Sequence, residues 1–419
     1  MRSKTTRFLV VVLLAATALA ACGDDSGSTG SPVTSGSTSV APSAGGSSTT
    51  TGTAPTGAPY KIGIPVRLSG TSAIVYQKAV PNAAEAWEKW VNAHGGINGH
   101  PVKVILGDTA GDAAKGLTTA KKMVETDDVS MLHIEDPTLD NTLAPYAAQQ
   151  KVAVASPIPY YPVWYSTPNW FPLGISFSDD FFNAAAKTIQ GVGKKSVGAI
   201  VCAEVASCGQ SIDALGKAVA PTGVRFDGGV KIAAAAPNYT AECLALKAKG
   251  TEMLYIAIAI DSAARVIKDC ALQGYKPDVF MPIHTLDPRI QTLAPDTNVL
   301  SVQEIMPWFA DTPALKDFND AVKQYGDPST VNEVALYTWT ALEFFREAVT
   351  KAKLGESPSR AEVNAALANN KTNIGGIAPD LSFTGPDQPA PKSTKCYFVS
   401  AYSGGKFTLP DGDKRQCLT

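Results

Sequence analysis

The chain reads as an α/β protein of two Rossmann-like lobes, on three observations. Residues 60–109 form one β-α-β unit. The alternation of apolar, β-branched runs with helical segments continues past residue 150, breaks, and restarts at 179. A chain of 419 residues is also longer than one ordinary hydrophobic core organises.

The opening unit begins with the strand Lys61-Ile62-Gly63-Ile64-Pro65-Val66, followed by a small-residue turn, Leu68-Ser69-Gly70-Thr71. A helix over 82–92 ends on Gly95-Gly96, and a second strand over 102–106 closes at Asp108. Paired glycines after a helix supply the left-handed backbone of a C-terminal cap. Helices then follow over 113–126 and 142–150, alternating with strands over 129–134 and 152–155. Next comes a stretch with five prolines, Pro157, Pro159, Pro162, Pro168 and Pro172. Prolines at that density suit neither a helix interior nor a central strand, so the region is expected to be loop.

From 179 the pattern predicts helices over 181–192, 210–220, 240–249 and 263–273, with strands over 196–202, 224–230, 253–260 and 279–281. Residues 299–306 read as a strand returning to the first lobe, followed by helices over 314–324, 331–352 and 360–368. A hairpin over 395–401 and 406–409, turning at Ser403-Gly404-Gly405, ends the chain.

Several of these segments resemble the periplasmic binding proteins of the leucine/isoleucine/valine type: the strand leading into Leu68-Ser69-Gly70, the helix, and Gly95-Gly96-Ile97-Asn98-Gly99 followed by Val102. The Ala155-Ser156-Pro157 turn and the Gln273-Gly274-Tyr275 helix end add to the likeness. The resemblance implies a type I, Venus-flytrap fold: two lobes joined by a three-crossing hinge. Lobe 1 would take residues 60–177 plus 303–390, and lobe 2 residues 178–302 plus 391–419.

The first 22 residues read as an address: Arg2, Lys4 and Arg7, then an apolar run, then Leu19-Ala20-Ala21-Cys22. That tetrapeptide resembles the bacterial lipobox, whose cysteine carries a diacylglyceryl group, so Cys22 is the expected lipidation site. Residues 23–59 are rich in Ser, Thr, Gly and Pro and read as a disordered tether. Coil statistics give it a reach on the order of 30 to 35 Å. The expected location is the extracytoplasmic face of a bacterial membrane, with the lipid as sole attachment, because no later run is long and apolar enough to span a bilayer. The six remaining cysteines suit an oxidising compartment, and pairing of neighbours gives Cys202–Cys208, Cys243–Cys270 and Cys396–Cys417.

Charge is nearly balanced, 36 basic against 38 acidic residues, so nucleic acid is not an expected partner. There is no Gly-x-Ser-x-Gly, no phosphate-binding Gly-x-x-x-x-Gly-Lys-Ser/Thr, no His-Glu-x-x-His and no Cys-x-x-Cys, and the four histidines stand apart. No enzyme activity, metal or cofactor is therefore expected. Open parallel sheets instead gather ligands at the carboxyl ends of their strands. The candidates placed there are Ser69, Thr71, Glu135, Asp136, Thr138, Ser156, Tyr160 and Tyr161 from the first lobe, and Asp261, His284 and Asp287 from the second.

The resemblance implies that hydroxyls and amides of the loops at 135–138 and 156–160 would hold a solute's carboxylate, and that an acidic group near 283–285 would hold its ammonium. This chain departs from that pattern. Pro137 has no amide hydrogen, Tyr160 replaces a small hydroxyl residue, two carboxylates crowd the first loop, and His284 stands where an acid is expected, leaving Asp261 or Asp287 to substitute. Tyr160 and Tyr161 either stack on a flat or cationic solute or pack the hinge; Trp164 and Trp170 read as packing. Trp87 and Trp90 read as core or rim, and Glu204 as structural.

The expected function is a monomeric receptor that closes on a small amino acid-like, amine-bearing or aromatic solute and delivers it to an ABC permease with its ATPase. A ligand sensor of the same fold signalling to a membrane partner is the alternative, and a lipid-anchored wall enzyme or adhesin a third.

Overall fold

The computed structural model describes residues 54–70, 75–177, 179–204, 206–282, 286–383 and 394–419. The expectations placed on Cys22, Thr71 and His284, and the tether up to residue 53, lie outside the described residues.

The first sheet is built from β1 (Tyr60–Val66), β2 (Val102–Asp108), β3 (Met131–His133), β4 (Ala153–Ser156) and β5 (Trp170–Pro172), in the order β2-β1-β3-β4-β5. Every pairing in it is parallel. β1 lies inside the sheet, so Ile62, Ile64 and Val66 on one side and Gly63 on the other are all buried. The helices α1 (Ala79–Ala93), α2 (Ala113–Glu125) and α3 (Asp140–Gln150) make the crossovers. α1 turns Ala79, Val80, Ala83, Ala84, Trp87 and Val91 inward at helical spacing. It ends where the Gly96 amide donates to the Val91 carbonyl at 2.9 Å with φ +70°. A Cβ on Gly96 would stand 2.0 Å from the His100 carbonyl oxygen, so no other residue fits this turn.

One expectation fails here. The proline-rich stretch holds a strand: β5 pairs with β4 in the register Val154↔Trp170, Ala155↔Phe171 and Ser156↔Pro172. Pro172 is tolerated because β5 is an edge strand and ends there. Three residues are too few to show a period of two in the sequence.

After α4 (Asp180–Gly191) the chain builds a second sheet from β6 (Ser196–Cys202), β7 (Arg225–Ile232), β8 (Met253–Ala257), β9 (Asp278–Phe280) and β10 (Val299–Gln303). These alternate with α5 (Ala206–Val219), α6 (Thr240–Ala248), α7 (Ile260–Leu272) and α8 (Ile290–Leu293). The terminal strands β11 (Cys396–Ser403), β12 (Lys406–Thr408) and β13 (Gln416–Cys417) complete it, in the order β12-β11-β10-β9-β8-β6-β7 with β13 on β11. β10 corrects a second expectation: it does not return to the first lobe but pairs parallel with β9 and antiparallel with β11. The return follows it. Met306 donates its amide to Ile377 at 2.7 Å, and α9 (Lys316–Tyr325) and α10 (Glu333–Ala352) pack against α1, with α11 (Arg360–Ala368) beside α10.

The fold is therefore α/β and bilobed, and the chain passes between the two sheets three times: after β5, after β10, and between α11 and β11. α10 is buried on nearly every face, as a central helix must be. The three disulfides join Cys202 to Cys208, Cys243 to Cys270 and Cys396 to Cys417, the neighbour pairing read from the sequence.

Candidate functional site

The carboxyl ends of β1, β3 and β4 meet the chain leaving β10 and the N-terminus of α10 in a buried polar group. Asp136, just past β3, is its first anchor. Arg67 Nε donates to Asp136 Oδ1 at 2.7 Å, the Thr138 amide and hydroxyl donate to the same oxygen at 3.0 and 2.7 Å, and the Thr109 hydroxyl donates to Oδ2. Burial works against the Arg67 charge, but Tyr76 and Asp136 hold it protonated. The guanidinium lies 5.8 Å from the Tyr76 ring, and Tyr160 stands beside Tyr76. Burial pushes the Tyr160 hydroxyl far above its ordinary range, reinforced by Tyr76, Glu135 and Glu304.

Three buried carboxyls, Glu135, Glu304 and Glu333, complete the group. Burial raises Glu135, against the pull of His133, whose Nε2 lies 2.8 Å away. Glu304, one residue past β10, accepts from the Tyr337 hydroxyl at 2.7 Å on Oε2. Burial nonetheless pushes it up to about 7. It is wedged against the first crossing: a Cβ on Gly174 would stand 2.5 Å from the Glu304 Cβ and 2.2 Å from the Pro157 carbonyl oxygen. Glu333 opens α10 and accepts from the Trp308 amide at 3.2 Å on Oε2. Burial, with the nearby charge of Glu304, holds its carboxyl well above the carboxylate range despite that amide.

The remaining first-lobe candidates are placed unevenly. Ser69 is exposed and donates its hydroxyl to Asp108 Oδ2 at 2.6 Å. Asp108 also accepts from the amides of Leu68, Ser69 and Ala110 and from Lys115. Partial burial opposes its ionisation, but Lys115, Ser69 and those amides outweigh it and hold the carboxyl far below the usual range. Ser156 is fully buried and its Oγ accepts from the Ile158 amide at 3.3 Å. Tyr160 joins the group, while Tyr161 sits at the start of the Pro162–Tyr165 helical turn. Trp164 and Trp170 pack against each other at 4.6 Å, and the Trp164 indole N–H donates to Asp140 Oδ2 at 2.7 Å, so both are core. Trp87 is core as well, donating to Glu343 at 2.6 Å, and Glu204 accepts from the Ala234 amide at 2.7 Å as a loop tie.

On the second sheet, Asp261 opens α7 and Asp287 precedes α8. Both are tied to one guanidinium: Arg289 Nη1 donates to Asp261 at 2.9 and 3.1 Å, and Nε donates to Asp287 at 2.9 Å. Sequence reading missed this arginine, although a cation two residues after Asp287 was a visible signal. It also missed Glu304, Glu333, Tyr337 and Tyr76, because a carboxyl at the end of one strand and another at a helix start converge only through the hinge.

Among the described residues no cluster of His, Cys, Asp or Glu is arranged to hold a metal ion, and no helix is long and apolar enough to cross a membrane. Two hollows lie away from the group. One of about 320 Å³ is lined by Tyr275, Asp278, Leu293 and Asn298, and one of about 380 Å³ is lined by Lys351, Glu362 and Asn370.

One parallel and one mixed sheet, three crossings and a polar group at the strand ends define the type I binding-protein class. A family model described as periplasmic binding protein matches residues 59–406, and the chain belongs to that family. Solved structures similar to it include a branched-chain amino acid ABC transporter protein from Thermus thermophilus with bound valine. It is 15% identical, covers 86% of this chain and 97% of its own, and has a TM-score of 0.74. A leucine-binding protein from Thermotoga maritima is 15% identical over 83% of this chain and 97% of its own, with a TM-score of 0.68. A solute-binding protein of an ABC transporter from R. palustris, in complex with benzoate, is 16% identical over 84% and 95%, with a TM-score of 0.69. No curated protein matches the chain in sequence.

Proposed function

We propose that this chain is the solute-binding lipoprotein of an ABC importer, tethered through Cys22 to the outer face of the cytoplasmic membrane. It captures one small amino acid-like, amine-bearing or aromatic solute between lobes comprising residues 60–177 plus 303–390 and 178–302 plus 391–419, and acts as a monomer without catalysis or cofactor. The observation that carries this reading is the buried group of Arg67, Tyr76, Glu135, Tyr160 and Glu304 at the carboxyl ends of the first sheet's strands, where such sheets place ligands. Valine and benzoate in two structurally similar proteins support a small organic solute. Hinge closure is the mechanism: the solute binds the closed arrangement more tightly than the open one and shifts the population toward it.

A thermal-shift screen over amino acids, amines and aromatic acids tests the reading, because a solute that binds only the folded chain raises its melting temperature. The expected result is one chemical class that shifts melting in proportion to its concentration. A flat response across several hundred solutes would refute it.

A further inference from the structure

The group contains two carboxyl oxygens that the fold leaves empty-handed. Glu304 and Glu333 are 0% and 1% exposed. In each, one oxygen is engaged, by the Tyr337 hydroxyl and by the Trp308 amide. The other, Oε1 in both residues, is buried and has no hydrogen-bond partner among the described residues. Buried polar atoms are otherwise satisfied almost without exception in folded proteins, so a pair of orphaned acceptors in one place asks for a donor from outside. The Tyr337 that Glu304 binds lies one turn along α10 from Glu333, on the same helix face, and Glu333, Tyr337 and Tyr160 all feel the Glu304 charge. Like charges at short range resist joint ionisation, and a cation between them removes that resistance.

Several donors on the first-lobe loops are spent on internal carboxylates. Both donors of Thr138 and the Arg67 Nε go to Asp136, and the amide and hydroxyl of Ser69 go to Asp108. Beside the Trp308 indole N–H, what this end of the first lobe offers a solute is buried acceptor oxygen and aromatic surface.

We propose that Glu304 and Glu333 receive a protonated amine or quaternary ammonium group, so that the solute is an organic cation whose charged end lies against the first lobe. This deepens the solute-receptor reading and rests on it. Residues from the strand-to-hinge junction and from the N-terminus of α10 form the receiving end. The ammonium enters with its charge facing the two Oε1 atoms, where a primary amine adds hydrogen bonds and a quaternary one adds charge alone. Any proton shared by the pair leaves to solvent as the cation binds, so the site gains no net charge beyond that exchanged.

Titration calorimetry and thermal shift with named probes test this: benzylamine, tyramine, choline and putrescine against benzyl alcohol, benzoate, leucine and valine. At least one cation should raise the melting temperature, and benzylamine should bind at least tenfold more tightly than its neutral counterpart benzyl alcohol if it is the responding probe. Glu304→Gln and Glu333→Gln should each weaken the responding cation at least tenfold at pH 8, while melting there at or above the wild-type temperature. Glu85→Gln, on the exposed face of α1, should leave affinity within twofold. The inference is overturned if no cation shifts melting, or if both Gln variants fold and keep wild-type affinity. Should a variant fail to fold, the comparison of each cation with a neutral isostere on the wild-type chain decides alone. A response to leucine, valine or benzoate without one to any cation overturns the inference and leaves the solute-receptor reading standing. Silence from the whole panel, and from the wider screen as well, overturns both.

Discussion

Replacing Glu304 by Gln removes one buried titration from the hinge. The carboxyl releases its proton near 7 in the folded chain and near 4.5 in a model peptide, because burial outweighs the hydrogen bond from Tyr337. Between those values the folded state holds a proton that the unfolded state has lost. The stabilisation is full below pH 4.5 and is lost as pH rises through 7, at a cost of about 3 kcal/mol across the window. Gln keeps the shape and still accepts from Tyr337 but does not titrate. Its amide adds buried donors with no assigned acceptor, a penalty of about 1 kcal/mol. The two curves of unfolding free energy against pH should therefore cross. The variant should be about 1 kcal/mol less stable at pH 4.5 and about 2 kcal/mol more stable at pH 8. Guanidinium unfolding followed by tryptophan fluorescence at several pH values measures both. Glu135 and Asp140 are raised in the same direction and steepen both curves alike, while Glu333 loses the Glu304 charge in the variant, so the difference reports Glu304 together with its coupling to Glu333. Parallel curves would refute the reasoning.

Other perturbations follow from single contacts. Asp136→Ala strands the Arg67 guanidinium in a buried site and should cost about 3 to 5 kcal/mol in denaturant unfolding; a loss under 1 kcal/mol would show that Arg67 is solvated. Asp108→Ala should speed amide hydrogen exchange at Leu68, Ser69 and Ala110, leaving the interior of β1 protected; unchanged exchange would remove Asp108 as organiser of the turn. Gly96→Ala should destabilise by roughly 1 to 3 kcal/mol, since it meets both a positive φ and the His100 carbonyl, and wild-type stability would contradict the cap geometry. Opening Cys243–Cys270 with paired Ala substitutions should cost about 3 to 4 kcal/mol by the chain-entropy estimate for a loop of that length. Cys22→Ser should move the protein from the detergent phase to the aqueous phase, and retention in detergent would deny the lipid anchor.

Much of the fold was legible because it is written in local patterns. Ile62, Ile64 and Val66 announce β1, and the Gly95-Gly96 pair announces the end of α1. What failed was either too short or too distant to leave a pattern. β5 has three residues and a proline, and the partner of β10 lies nearly a hundred residues on, in β11. The first-lobe loops lie at the strand ends, and Asp136 and Tyr160 both face Arg67 there. Yet Thr138 and Ser69 turned inward onto Asp136 and Asp108, because a buried or half-buried carboxylate recruits the nearest donors. Nothing in the sequence around Glu304 or Glu333 marks them, since what sets them apart is their burial in the folded chain.

Native mass spectrometry of the purified chain, titrated with whichever solute shifts its melting, tests the central claim most directly. The account predicts one solute per chain, released when the protein is denatured and lost together with the melting shift. A chain that keeps its bare mass with every solute offered would contradict it.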